Sequence, residues 1–175
     1  MDELIDVLDE ETGLVTGKVI SKEEAHKKGI WHGAVHLIII NNDCTKTLFQ
    51  QRCKDKKIYP NYWDIAVGGH ISSKEDSLTT VKRELQEELG LNPDNYIFEE
   101  ITTVKEILEY KDLKSKEFIT TYIVKSDIDV NQITLQKEEV SDVKWFTKEE
   151  VNNLVNSKKS IPHVIAFDIL NKRLK

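Results

Sequence analysis

Hydrophobic and polar positions alternate with two periods along this chain, and the change of period marks its elements. Leu4 to Leu8 and a second run through Val15 and Val19 flank the turn Asp9-Glu10-Glu11-Thr12-Gly13, which predicts an N-terminal hairpin over about residues 1–20. Ser21 followed by Glu24 is a capping-box pattern, so a short helix runs from there to a stop at Gly29. Val35 to Ile40 is almost wholly apolar and rich in β-branched residues, as in a strand buried on both faces. Asn41 to Asp43 turns the chain into a second strand, Thr47 to Gln51. A charged loop, Lys54 to Asn61, leads to a short strand from Trp63 to Val67 that runs into Gly68-Gly69.

The strongest helical segment is Asp76 to Leu89, with Leu78, Val81, Leu85 and Leu89 at helical spacing, stopped by Gly90 and kept stopped by Pro93. Strands near Tyr96–Leu108 and Phe118–Val124 follow, joined by the lysine-rich loop Lys111–Lys116. Val143–Phe146 is a further strand. Thr147 with Glu150 opens a helix to about Val155, and Ser160-Ile161-Pro162 begins a last helix because proline is tolerated in a first turn. No linker or repeat divides the chain, so the expectation is a single α+β domain over residues 1–175, built on a mixed sheet.

Composition narrows the partners more than the fold. Hydrophobic residues make up 39% and charged residues 32%, the proportions of an ordinary globular protein. A net charge of −6 argues against binding a nucleic acid polymer, which requires a basic face to displace counterions. An anionic small molecule would need local cations or a metal ion. The longest apolar run, Leu37 to Ile40, is too short to cross a bilayer, so no membrane partner is expected. Cys44 and Cys53 have neither zinc-site nor redox-pair spacing and read as reduced thiols of a cytoplasmic protein.

The chemistry concentrates on the Asp76–Leu89 helix, where Glu84, Glu87 and Glu88 place three carboxylates within five residues. At roughly 100° per residue they share one helical face about 100° wide, next to the apolar stripe that packs on the sheet. Oxygen-only donors gathered in this way suit a hard cation, Mg²⁺ or Mn²⁺, although a solvated charged face would carry the same pattern. Upstream, Gly69 leads a loop whose backbone can approach a ligand, and Glu75 can reach Arg83.

The full spacing, Gly69-x5-Glu75-x7-Arg83-Glu84-Leu85-x-Glu87-Glu88-x-Gly90-Leu91, resembles a complete Nudix box over residues 69–91. The resemblance implies the Nudix fold, an α/β/α sandwich around a mixed β-sheet. It also implies hydrolysis of a nucleoside-diphosphate-type or related diphosphate compound. Glu84, Glu87 and Glu88 would be the metal ligands, one of them orienting the attacking water, with Arg83 and Glu75 supporting them. Carboxylates outside the box, Glu106, Glu138 and Glu139, are further candidates.

Arg52, Lys56, Lys57, Pro60 and Trp63, followed by Gly69-His70, resemble the corresponding stretch of type I isopentenyl diphosphate isomerases and related hydrolases. That resemblance assigns Arg52, Lys56 and Lys57 to the substrate's diphosphate, a role that suits a guanidinium fork. His36 and His70 match isomerase metal-ligand positions. The isomerase cysteine is replaced by Gly68, which points to hydrolysis; an isopentenyl diphosphate isomerase-like enzyme and a non-catalytic nucleotide-sensing domain are the alternatives. His32 reads as part of a turn, Trp63 as packing, and His163 as having no partner. The leaving group would be recognised by the loops Lys54–Asn61 and Lys111–Lys116. The N-terminal hairpin and the last helix offer contact surfaces for a homodimer.

Overall fold

The computed structural model describes residues 3–175. Its centre is β3 (Trp31–Ile40), all ten residues of which are buried. Along its whole length β3 pairs in parallel with β8 (Leu113–Lys125), and β7 (Glu99–Tyr110) adds antiparallel to β8. The opposite edge of β3 has two partners in turn. Ala34 to Leu37 pair with β6 (Val67–His70), whereas Ile39 and Ile40 pair with β4 (Lys46–Arg52). β4 also carries β5 (Trp63–Ile65) and β9 (Val140–Thr147). The mixed sheet therefore forks beside the middle of β3, between β6 and the β4–β5 pair.

Because side chains alternate across a strand, β3 feeds two cores. Val35, Leu37 and Ile39 meet Val81, Leu85 and Leu89 of α2 (Ser77–Leu89) on one face. Ile38 and Ile40 join Phe49 with Val151 of α3 (Lys148–Asn156) and Ala166, Ile169 and Leu170 of α4 (Val164–Arg173) on the other. This is the α/β/α arrangement the box resemblance implies. Each of these large apolar side chains contributes roughly 1.5–3 kcal/mol by leaving water.

Local chemistry sets the ends of the elements. Asp76 accepts from the Thr79 amide at 2.8 Å to cap α2, and Gly90 closes it in a left-handed conformation with φ 65°. Thr147 and Glu150 form a complete capping box on α3. Ser21 caps α1 (Lys22–Lys28), but the Glu24 carboxylate turns instead to Lys28 at 2.5 Å, so only half of the expected box forms. The N-terminal hairpin of β1 (Leu4–Leu8) and β2 (Val15–Ser21) grips the loop ahead of Glu75: Asp6 accepts from Ser73 Oγ at 2.7 Å and from the Lys74 amide at 3.0 Å.

Several expectations need correction. Lys111 to Lys116 is not a loop. The turn is only Lys111-Asp112, and β8 begins at Leu113, because Ser115 points inward while Lys114 reaches Glu109 at 2.8 Å. The Trp63–Val67 strand is two strands hinged at Ala66, one on each branch of the fork. The last helix begins at Val164; Ser160 to Pro162 is extended, and the Ile161 amide donates to the Trp63 carbonyl at 2.9 Å. His32 lies within β3 and is fully buried, so it belongs to no turn.

Leu85 is fully buried and Ile97 is 89% exposed. Leu85→Ala is expected to cost about 2–5 kcal/mol in urea unfolding, and Ile97→Ala less than about 0.5 kcal/mol.

Candidate active site

One cleft of about 1020 Å³ opens at the fork of the sheet, and the box helix, the basic loop and the ends of β3, β6 and β8 all contribute to it. On the α2 side Arg83 gathers the carboxylates. Its Nη1 donates to Glu84 and to Glu87, both at 2.9 Å, while Nε and Nη2 reach the two oxygens of Glu75 at 3.2 and 3.0 Å. Thr80 Oγ1 donates to Glu75 at 2.6 Å. Burial acts against ionisation of Glu75, but the Arg83 and Thr80 hydrogen bonds outweigh it and hold the carboxyl below its ordinary range. Glu75 thus anchors the guanidinium.

Glu84 and Glu88 behave differently. Burial, with Glu87 adding repulsion and Arg83 opposing, pushes Glu84 up to about 7. Burial and the neighbouring Glu84 push Glu88 up to about 8, against a 3.0 Å hydrogen bond donated by Gln50. These carboxyls are short of positive charge. A divalent cation among them would supply it, so the donor set fits the metal that the box implies. Gly69 lies directly beneath: a Cβ there would fall 2.5 Å from the Glu84 carboxyl, so the missing side chain is what lets Glu84 lie against β6.

The basic residues line the same cleft. Arg52 donates to the Ile58 carbonyl at 3.1 Å and stands 3.6 Å from Asp64. Lys56 is ion-paired with Glu139, and the Cys53 thiol donates to the Glu138 carbonyl at 2.8 Å. Lys57 is 79% exposed and 4.0 Å from Glu23, at the rim. Glu138 and Glu139 line the cleft, whereas Glu106 does not reach the box and is bound to a histidine.

That histidine is His163, which has partners on both sides. Its Nδ1 is 2.5 Å from Glu106 and its Nε2 is 3.2 Å from Asp64. Burial disfavours the charged ring, but the two carboxylates win and raise His163 to about 10, while Asp64 is held down at about 2 against its own burial. An acidic residue between Trp63 and Ile65 was the sequence signal for this trio.

A second donor set gathers His26, His32, His70 and Glu117, with ligand atoms within 4.8 Å of one another. His26 Nε2 and His70 Nε2 are 3.2 Å apart, and Glu117 Oε1 lies 3.3 Å from His70 and 3.7 Å from His32. His32 Nδ1 bonds the Ile30 carbonyl at 2.8 Å, and its buried Nε2 has no hydrogen-bond partner. Three imidazoles and one carboxylate are donors for a transition ion such as Zn²⁺ or Mn²⁺. Of the two histidines singled out by resemblance, only His70 belongs to this set; His36 packs edge-on against His163, ring centres 4.3 Å apart. His26 and Glu117 carried no signal in sequence beyond their residue type.

A forked mixed sheet with a glutamate-bearing helix over the cleft defines the class of α/β/α proteins built around a box of carboxylates. The NUDIX domain family model matches residues 30–166, and the chain belongs to the Nudix hydrolase family. "Nudix hydrolase 3" of Arabidopsis thaliana is 37% identical over 172 residues, which covers 96% of this chain but only 22% of that protein's length. A Nudix hydrolase of Listeria monocytogenes is 33% identical over 174 residues, covering 95% of this chain and 92% of its own. Among solved structures, a Deinococcus radiodurans protein superposes with a TM-score of 0.76 at 18% identity, over 99% of this chain and 100% of that one. The NUDIX domain of Shewanella oneidensis NrtR, crystallised with ADP ribose, gives 0.61 at 20% identity, over 89% and 100%. Among the described residues no helix is long and apolar enough to cross a membrane.

The buried trio makes stability depend on pH at both ends. His163, raised above its ordinary value, contributes fully below about pH 6.5 and loses its contribution as the pH rises through about 10. Asp64, depressed, contributes fully above its ordinary 3.8 and loses its contribution as the pH falls through about 2. Unfolding free energy measured against a double variant, Asp64→Asn with His163→Gln, should show the largest difference near pH 5, shrinking toward both extremes.

Proposed function

We propose that the chain is a divalent-metal-dependent hydrolase of a phosphoanhydride bond in a small diphosphate compound, nucleoside-diphosphate-type or related. The observation that carries this reading is the meeting of three box carboxylates, two of them with raised pKa, on a cleft that Arg52 and Lys56 also line. Glu84, Glu87 and Glu88 would hold Mg²⁺ or Mn²⁺. Bound there, the cation neutralises phosphate oxygens and acidifies a water molecule.

The chain's own residues supply the rest. Glu75 and Thr80 fix Arg83, and Arg83 fixes the directions of Glu84 and Glu87. Arg52 and Lys56 hold the diphosphate, with Lys56 exchanging its Glu139 partner for a phosphate oxygen. Water oxygen bonds to phosphorus, the bridging P–O bond breaks with its electrons leaving on the departing phosphate, and a carboxylate takes the proton from water. Glu139, released from Lys56, is placed beside the box to share that task. Gly68 stands where isomerisation would need a cysteine thiol, and this favours hydrolysis within the isomerase-like subgroup. The set around His32 is assigned a transition ion that ties α1, β3, β6 and β8 together.

With Mg²⁺, the purified protein should release phosphate or a monophosphate from at least one member of a diphosphate panel. Glu87→Gln should lower that rate about 100-fold or more with the circular dichroism spectrum unchanged; a variant as fast as the parent overturns the metal assignment. For the second set, elemental analysis after Zn²⁺ or Mn²⁺ loading should find one tightly held ion per chain, lost in His32→Gln. An equal ion content in the two proteins removes that assignment.

A further inference from the structure

The contacts that run from Glu75 through Arg83 to the box carboxylates begin outside the helix. α2 starts at Ser77 with Asp76 as its cap, so Glu75 lies ahead of its first turn. The backbone of Glu75 is set instead by Ser72-Ser73-Lys74, where a turn is closed by the Glu75 amide donating to the Ser72 carbonyl at 2.9 Å. Lys74 is the strained residue of that turn. Its φ is 71°, the left-handed region that costs a residue with a Cβ. The Lys74 side chain is exposed, so packing does not hold it there.

What holds it comes from β1. The Ser73 amide donates to the Leu4 carbonyl at 2.8 Å, Ser73 Oγ donates to one oxygen of Asp6 at 2.7 Å, and the Lys74 amide donates to the other at 3.0 Å. Ile5 is fully buried and bridges to Ser72, which anchors the strand independently of Asp6. Because successive side chains leave opposite faces of a strand, Asp6 is not part of that anchor. β1 and β2 form a two-stranded sheet of their own, and both precede residues 30–166, the span matched to the Nudix family. The hairpin is thus an addition to the family's domain, and its polar contacts fall on the loop that carries Glu75. Rotation at Lys74 would swing Glu75, the next residue. Arg83 gives Nε and Nη2 to Glu75 and Nη1 to Glu84 and Glu87, so a displaced Glu75 turns the planar guanidinium as one piece.

We propose that the N-terminal hairpin is a clamp on the box and that Asp6 is its positioning residue: by holding Lys74 left-handed it sets Glu75, and through Arg83 it sets the directions of Glu84 and Glu87. The kinetic half of this inference rests on the hydrolase reading of the site. The geometric half does not.

The test has two readouts on the full chain. The ¹H–¹⁵N resonance of Arg83 Nε, which donates to Glu75, reports the geometry, and kcat and KM are measured with Mg²⁺ on whichever panel diphosphate the parent hydrolyses. Asp6→Ala removes both acceptors and leaves Ile5 in place. It should displace that resonance and lower kcat about tenfold, with KM within about twofold of the parent. Asp6→Asn should keep both readouts at parental values, because its carbonyl accepts from the Lys74 amide and its NH₂ donates to Ser73 Oγ. A hairpin that served stability alone would lower the urea midpoint in Asp6→Ala and leave the resonance and kcat where they are. That outcome overturns the proposal, as does Asp6→Asn falling as far as Asp6→Ala. Should Asp6→Ala not fold, Ser73→Ala, which deletes the hydroxyl that Asp6 holds, should displace the resonance and lower kcat about threefold; parental values there overturn the proposal equally. If the parent hydrolyses no member of the panel, the hydrolase reading falls, and the Arg83 resonance alone decides the clamp.

Discussion

Each edge of a β-strand can hold only one neighbour at a given residue, and β3 changes neighbour partway along the same edge. From Ala34 to Leu37 that neighbour is β6; at Ile39 and Ile40 it is β4. Two strands leaving one edge in succession cannot remain flush, so the sheet opens between them, and residues from both of its faces can line the gap. The glutamates of α2 and the histidines beneath β3 share one cleft for this reason. The fork also explains why β5 and β6, contiguous in sequence but for Ala66, are separate strands.

Within the cleft, the arrangement is governed by how little cationic charge serves how many carboxylates. Arg83 is shared by Glu75, Glu84 and Glu87, while Glu88 has the Gln50 amide as its hydrogen-bond donor and Lys56 as the cation that favours its charge. Burying carboxylates without full compensation is costly, and proteins resolve it by neutralising the group or by admitting a cation. The cluster at His163 shows the other solution: its imidazolium, together with Arg52 at 3.6 Å from Asp64, balances the two acids. Side by side stand a compensated cluster and an under-compensated one.

Much of this was legible in the sequence because the box is local. Its carboxylates lie within one helix turn or so, and helical periodicity alone puts them on one face beside Leu85 and Leu89. The hairpin, the buried β3 and the Thr147 cap were legible for the same reason. What was not legible depended on distant pairings. His163 looked isolated because its partners, Asp64 and Glu106, come from β5 and β7. His32 was read as a turn residue because it falls outside the isomerase spacing, and only the pairing of β3 with β8 sets it opposite Glu117. Lysines misled in the Lys111–Lys116 stretch: charge suggested a loop, but their stems let the ammonium groups reach solvent from the flank of a continuing strand.

The ion trio has a consequence for the order in which the molecule can assemble. Glu106 and His163 are 57 residues apart, and Asp64 lies earlier still. Closing such loops costs chain entropy that a few ion pairs do not repay until the surrounding sheet exists. The box helix, by contrast, packs chiefly on the nearby β6 and β3. During synthesis from the N-terminus, the glutamate helix and its glycine strand are complete well before α4 emerges. The cleft acquires its glutamate-bearing rim first and its floor last.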